Sequence, residues 1–389
     1  MSMTGFPNFG PILFLSAAIG LAAGTAQADG PASRFEILLG GDAYTEAAFV
    51  SQNHGSGLRT SEFSNRLRLM VTPIAKADNG LEYGGRLFLQ AAGGSAAGVV
   101  WAYGFVNGGF GTIHAGAVNG PDDMDLIGMQ TPMDWRVQAL TNAPVAYINS
   151  GATGGVTDLP YFKSGFDWPT FGPLEGAGTK LSYYSPRFAG FQATLSYEPR
   201  NDSANTDVNR VKRSAATGNS TASYQDLVEA SLNYSQVFGD VKVTGFGAVL
   251  VGQATETATT RYRDLTAWHL GGRIAVGPFA VGALMMDTGK SGIAKTAGIQ
   301  AEGTRMVSAG VQYTIGATIL GAQYQRGEDA GNLAVAGKRS LALYTAGAQY
   351  HIAPGLQVGG EYSHFTAKSD SAGRSDEGSV VLLRTALAF

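Results

Sequence analysis

From Arg34 to the last residue, apolar side chains recur at every second position, and this periodicity constrains the fold more than any motif does. In Phe191–Glu198 the odd positions hold Phe, Ala, Leu and Tyr, and the even positions hold Gln, Thr, Ser and Glu. Val228, Ala230, Leu232 and Tyr234 alternate with Glu229, Ser231, Asn233 and Ser235. Val307, Ala309, Val311, Tyr313 and Ile315 alternate with Ser308, Gly310, Gln312 and Thr314, and Leu356, Val358 and Tyr362 with Gln357, Gly359, Glu361 and Ser363. A strand turns successive side chains to opposite faces, so each segment has an apolar face and a polar one. No charge falls on the apolar face of these four segments.

That apolar face must meet either a second sheet or lipid, and composition favours lipid. Only 15% of the 389 residues are charged, against about 25% in soluble domains. After residue 28 no stretch approaches the roughly 18 apolar residues of a membrane helix. Few charges without a spanning helix fit a membrane barrel, whose apolar residues are spread through alternating strands. The connections point the same way. Short turns such as Asn107–Gly109, Pro186–Gly190 and Val276–Pro278 alternate with the long polar segments 199–224, 255–263, 288–303, 326–337 and 367–377. Short turns on one rim and long loops on the other are the arrangement of an outer-membrane barrel. The expected fold is therefore all-β, a transmembrane antiparallel barrel of about sixteen strands. They begin near Arg34, Ser61, Leu81, Gly98, Phe110, Gly178, Gly190, Gln225, Val241, Asp264, Pro278, Thr304, Ala317, Lys338, Leu356 and Gly378. Phe188, Phe191, Phe238 and Phe279 beside short turns, and Tyr183, Tyr197, Tyr324 and Tyr362 within strands or toward the loop side, fit interfacial girdles.

The two ends of the chain suggest how it travels. Ile12–Ala23 is an apolar run of h-region length, and Ala26-Gln27-Ala28 follows as a small-x-small cleavage site. Residues 1–28 read as a cleaved signal peptide and 29–389 as the mature barrel domain. The segment before the apolar run carries no Lys or Arg, a departure from the usual leader. At the other end Val381, Leu383, Leu387 and Phe389 share one face, and the terminal aromatic resembles the carboxy-terminal signal read by the barrel assembly machinery. The chain has no Cys, which excludes disulfides and thiolate metal sites. Its net charge of −3 is spread without a basic stripe, so nucleic acid is not an expected partner. Five scattered His, no His-Glu-x-x-His, no phosphate-binding loop and no Gly-x-Ser-x-Gly elbow leave no catalytic or cofactor motif. His114 is expected on the lumenal face with Thr112.

Several stretches carry a family resemblance: Arg34–Tyr44 (RFEILLGGDAY), Glu62–Leu69 (EFSNRLRL), Lys76–Arg86 (KADNGLEYGGR), Phe105–Thr112 (FVNGGFGT) and the terminal Phe389. With these the chain resembles the general porins of Gram-negative outer membranes, most of all the Gly-rich porins of alphaproteobacteria. The specific motifs lie in the first third, and the rest matches by strand pattern. The resemblance implies a sixteen-stranded barrel, usually a homotrimer, with a third external loop folded inward to narrow the pore. The nearly sixty residues between Val118 and Gly178 are the candidate for that loop, since ordinary hairpins are far shorter. Its aromatic residues, among them Trp135, Tyr147, Trp168 and Phe171, favour a packed loop over a disordered one.

Period two also predicts a basic wall. Leu67, Leu69 and Val71 face lipid, so Arg66, Arg68 and Met70 point inward; Leu87 and Leu89 face out and leave Arg86 and Gln90 inside. A charge on the lipid face at mid-depth costs about 2–4 kcal/mol, which favours the lumen. Asp122, Asp123, Asp125 and Asp134 of the long loop are the expected opposing acids, giving a transverse field across a narrow aqueous gap. Two departures from the family pattern stand out. Val100-Trp101 occupies a place where related porins often carry a lumenal charge, and the second loop (Ala91–Ala97) is brief. The expected activity is passive, size-limited diffusion of small hydrophilic solutes and ions through the outer membrane. A solute-specific channel is the alternative and would need a long ladder of Arg, Lys or aromatics. A barrel enzyme would need a Ser and His, or paired Asp, meeting on outward-facing positions, and a secreted adhesin would need short repeats; the sequence shows neither.

Overall fold

Alternation at this length can satisfy every backbone N–H and C=O only if the sheet closes, because an open edge has no partner in lipid. The computed structural model describes residues 35–389 except 56, 93–97, 127–143, 149–170, 177, 202–222, 258, 297–302, 331–336 and 371–372. Its sheet is a closed antiparallel barrel of sixteen strands in sequence order, β1 pairing with both β2 and β16. The strands are β1 (Glu36–Gln52), β2 (Ser61–Lys76), β3 (Glu82–Ala92), β4 (Gly98–Gly108), β5 (Gly111–Ala117) and β6 (Thr179–Tyr184). They continue as β7 (Phe191–Arg200), β8 (Tyr224–Phe238), β9 (Val241–Ala254), β10 (Leu265–Val276) and β11 (Phe279–Gly289). The last are β12 (Thr304–Ile315), β13 (Thr318–Asp329), β14 (Arg339–Ala353), β15 (Leu356–Ser369) and β16 (Arg374–Ala388).

Connections sort by rim as the sequence predicts. The β2–β3, β4–β5, β6–β7, β8–β9, β10–β11, β12–β13 and β14–β15 turns are all short and share the rim that holds both strand ends of the closure. The start of β16 differs from expectation by four residues, at Arg374 rather than Gly378. A second irregularity is a bulge in β8. Asp226 has φ +50, and the register with β9 shifts between Gln225 and Val228, so Tyr224 and Leu227 both turn into the barrel.

The outer face is apolar in every segment read from the alternation, with Leu195, Leu232, Val249, Val281, Val311 and Leu383 exposed. Phe188, Phe191, Phe238 and Phe279 are likewise exposed beside the short turns. The inner face is not uniformly polar. Leu341, Leu343, Phe365, Val380 and Leu382 form an inward apolar cluster on β14–β16, and Leu227, Ala248, Leu250, Leu265, Ala267 and Met286 form another on β8–β11. Both are covered by pieces of the long loop between β5 and β6, described below.

Closure depends on a glycine. Gly41 N–H donates to the Phe389 carbonyl at 2.9 Å, and Phe389 N–H donates back at 3.0 Å. A Cβ at Gly41 would lie 2.2 Å from the Arg68 carbonyl oxygen and 2.8 Å from the Phe389 ring. A backbone carbonyl cannot yield as a flexible side chain does. Gly41→Val is therefore expected to lower the yield of folded barrel severely in refolding into detergent, whereas Gly109→Ala, at a turn with open space, refolds normally.

Candidate functional site

The inward side chains of β1, β2, β3 and β16 form a charged wall. In the β1–β2 register Tyr44 faces Arg66 and Asp42 faces Arg68; across the closure Glu46 faces Arg384. Asp42 accepts from Arg66 at 3.0 Å and from Arg68 at 2.7 Å. Glu46 accepts from Arg384 Nε at 2.6 Å and again from its terminal nitrogen. The Arg66 and Arg384 guanidinium groups flank the Tyr44 ring, 5.0 and 4.8 Å from its centroid, a favourable cation–π arrangement. Arg68 lies 5.2 Å from the Phe88 centroid, and Phe88 packs on Trp101. Arg86 donates to Thr72 Oγ1 at 3.3 Å. The acid that answers both Arg66 and Arg68 is thus Asp42, a wall residue of β1, one strand away.

The described parts of the long loop pack at two places on the inner wall. Near its middle, a 3₁₀ turn at Pro144–Tyr147 sets Val145 and Ile148 against the cluster of Leu343, Phe365, Val380 and Leu382. Tyr147 Oη donates to Glu46 Oε1 at 2.6 Å and also bonds Ser64. Burial, then the bond to Glu46, holds the Tyr147 hydroxyl above the usual phenol range.

The loop's two ends meet at the other place. Helix α1 (Pro121–Leu126) leaves β5, and α2 (Gly172–Glu175) leads into β6. Gly120 N–H donates to Glu175 Oε1 at 2.6 Å, Asp122 N–H to Glu229 Oε1 at 2.5 Å, and Phe171 N–H to Asp122 Oδ2 at 2.6 Å. Lys180 Nζ reaches Glu175 at 3.0 Å and Glu198 at 3.1 Å, with its side chain fully enclosed. The fit is close at Gly120, where a Cβ would stand 2.1 Å from oxygens of both Glu175 and Glu229. Burial, reinforced by the Glu175 charge, pushes the Asp122 carboxyl well above the ordinary carboxylate range.

Two of the four expected pore acids, Asp122 and Asp123, are therefore corrected. Asp122 and Asp123 are each only 1% exposed. Asp122 binds the loop to the wall, and Asp123 accepts from the Asn119 side chain, so neither faces Arg66 across water. The α1 backbone includes Asp125, but its side chain lies outside the described residues, as do Asp134 and most of the short second loop. Of the basic trio, Arg66, Arg68 and Arg86 occupy inward positions of one wall, two of them already paired. His114 sits inside between Tyr103 and Tyr184, 4.8 Å from each ring. Sequence reasoning passed over Asp42, Glu46 and Arg384, although each shares its strand's polar face with Tyr44 or Ala386. It also passed over the Glu175, Lys180, Glu198, Glu229 and His269 cluster, which joins loop residues to four strands, β6, β7, β8 and β10, and leaves no local pattern. On the outward side of β15 and β16, His364 Nδ1 lies 3.4 Å from Ser379 Oγ, which also bonds the Tyr362 hydroxyl.

A family model described as Gram-negative porin matches residues 15–370. An uncharacterized protein of Rickettsia bellii is 24% identical to the chain, covering 97% of it and 99% of its own length. An uncharacterized protein of Rickettsia prowazekii is 23% identical, over 91% and 93%. Among solved structures, a mutant of the Rh. blastica porin superposes with a TM-score of 0.55 at 16% identity, covering 91% of this chain and 100% of its own. The trimer form of OmpT, an outer membrane protein of Vibrio cholerae, superposes with a TM-score of 0.58 at 12% identity, over 91% and 99%. At such identities the two structures speak to the fold alone.

Proposed function

The chain belongs to the Gram-negative porin family and forms an outer-membrane channel, and on that premise we propose that it is a general porin, passing small hydrophilic solutes and ions passively. The observation that carries this reading is the wall itself. Arg66, Arg68, Arg86 and Arg384 stand beside Asp42 and Glu46 on the inner face of one barrel sector. Charges fixed in a low-dielectric wall orient dipolar solutes and repel those that must shed water to pass. A solute-specific channel would need a ladder of Arg, Lys or aromatics running the length of the pore; beyond this wall the described inner face carries separate polar groups, such as the Arg339–Asp329 pair and Arg273 with Gln312, beside apolar clusters. We read it as a channel without catalytic function.

The remaining parts of the reading rest on the sequence. Residues 1–28 act as a leader cleaved on export, 29–389 make the mature barrel, and Phe389 serves as the signal for the assembly machinery. Asp125 and Asp134 are the loop acids assigned to the pore. A homotrimer set in outer-membrane lipid is the expected assembly, in line with the trimer form of the Vibrio cholerae protein.

Planar-bilayer recording tests the proposal. Purified protein is expected to give stepwise ohmic currents, often in threes, and folded protein that passes no current would end the channel reading. Replacing Arg66 and Arg86 together by Ala removes the wall's excess of positive charge and leaves Arg68 and Arg384 balanced by Asp42 and Glu46, so the chloride-to-potassium permeability ratio is expected to fall severalfold toward potassium. An unchanged ratio would reject the wall as the selective element.

A further inference from the structure

The four arginines of the wall differ in what a solute can reach. The Arg66 and Arg384 side chains are each 1% exposed and are held by Asp42 and Glu46. Arg68 is more open, at 20%, but it shares Asp42 with Arg66. Arg86 is half-buried on the inner face of β3, and among the described residues it makes no ion pair. Its Nε donates to Thr72 Oγ1 at 3.3 Å, so the two terminal nitrogens are answered by no acid. A partly enclosed charge without its counter-charge is costly, and an anion arriving through the pore would supply one.

Aromatic rings stand beside this cation. Tyr103 on β4 faces Arg86 in register, and the His114 ring on β5 lies 4.8 Å from those of Tyr103 and Tyr184. The Arg86 charge acts on both Tyr103 and His114. Phe105 lies over Gly84, where a Cβ would stand 3.0 Å from its Cζ. Phe105 and His114 face each other in the β4–β5 register, and both are half-buried. Gly84 and Arg86 are two residues apart on one face of β3, about 6.8 Å along the strand, so cation and ring are spaced for one small aromatic acid. The next rings toward the loop rim, Phe88 and Trp101, are instead covered by Met124 and Asn119 of the loop.

We propose that Arg86, Phe105 and His114 form a solute subsite for small aromatic carboxylates, set between the loop seat and the short-turn rim. The carboxylate takes the two terminal nitrogens of the guanidinium, a planar fork that matches its two oxygens. The ring of the solute lies against Phe105 and His114. A carboxylate without a ring gains only the charge, and a ring without a carboxylate leaves Arg86 unanswered. The subsite rests on the channel reading and names one solute class within it. A single station is not a ladder, so other small solutes still pass.

The test records the folded protein in planar bilayers while benzoate is added on both sides, with acetate and benzamide as probes that lack the ring or the charge. Benzoate is expected to reduce the current saturably, with a half-blocking concentration about tenfold below that of either control. Arg86→Gln is expected to weaken this block about tenfold. Phe105→Leu should weaken it about threefold and leave the effect of acetate as it was; this variant keeps the test readable if Arg86→Gln fails to assemble. Benzoate that acts no better than acetate or benzamide on a conducting channel would overturn the proposal, as would a wild-type block in either variant. Saturation-transfer NMR with benzoate and folded protein in detergent reads the same contact without a current, and the transfer is expected to be lost in Arg86→Gln. A silent bilayer therefore bears on the channel reading alone, and absence of Arg86-dependent transfer overturns the subsite alone.

Discussion

Replacing Lys180 with Met is expected to release the start of the long loop while the strands stay paired. The ammonium is the only cation within ion-pairing distance of Glu175 and Glu198 among the described residues, at 3.0 and 3.1 Å, and it also donates to the Gly176 carbonyl at 3.3 Å. Removing one partner from a buried pair typically costs about 3–5 kcal/mol, because the orphaned charge stays enclosed. The backbone ladder of β6 with β5 and β7 does not involve the ammonium, so the loss falls on the α1–α2 junction. Local opening follows the free energy of the segment that opens. At about 1.4 kcal/mol per decade, the amides of Gly120 and of residues 122–124 are expected to exchange at least a hundredfold faster, while those of β12–β15 keep their protection. The single-channel current is expected to rise and become noisy as the loop leaves the wall. Wild-type exchange at α1 together with a wild-type current would show that Lys180 does not hold the loop.

The barrel was legible because its physics is repetitive. Fifteen of the sixteen expected strand starts fall within two residues of those observed, since each lipid-facing row must be apolar and each turn needs its own chemistry. The exception, β16, begins with Arg374-Ser375-Asp376-Glu377, which is polar on both faces and so reads as loop. Beyond the lipid both faces meet water, and pairing with β15 from Ser369 continues without any alternation to mark it. Val380-Val381-Leu382-Leu383 breaks the alternation in the opposite sense. Both faces are covered there, one by lipid and the other by Val145 and Ile148 of the loop. A continuous apolar run marks burial on two sides, and here it could have signalled a loop docked inside.

The site was less legible because its charge balance is tertiary. Arg66 and Arg68 could be placed inward from parity alone, and their pairing with Asp42 follows once β1 and β2 are put in register. Asp122 is different. A loop acid can face water or wall with the same neighbours in sequence, and what turns it to the wall is Phe171 N–H, forty-nine positions away. The bulge at Asp226 is equally silent locally, although it turns Leu227 onto the surface where Phe171 and Leu174 pack.

Glu46 offers the second large effect, since one carboxylate there joins the wall to the loop. It is fully buried, binds Arg384 through Oε2, and accepts the Tyr147 hydroxyl on Oε1 at 2.6 Å. Glu46→Gln keeps the volume but takes away the charge that answers Arg384. Glu361, which also acts on Arg384 electrostatically, remains as a second acid, so the cost should fall at the lower end of a broken buried pair, about 3 kcal/mol. It is to be measured as a lowered guanidinium unfolding midpoint in detergent. Tyr147→Phe, which removes only the hydroxyl, should cost about 1.5–3 kcal/mol if its bond to a charged acceptor is intact. The double variant separates the two roles. If the tyrosine acts through the Glu46 charge, its removal from Glu46→Gln should cost clearly less than from the wild type, a coupling of at least about 1 kcal/mol. Strict additivity would mean that the middle of the loop is held by Val145 and Ile148 alone. In bilayers the same Glu46→Gln substitution should move permeability toward chloride, opposite to the arginine replacements, because it takes an acid from the same wall. A shift toward potassium would contradict the assignment of that wall to the permeation path.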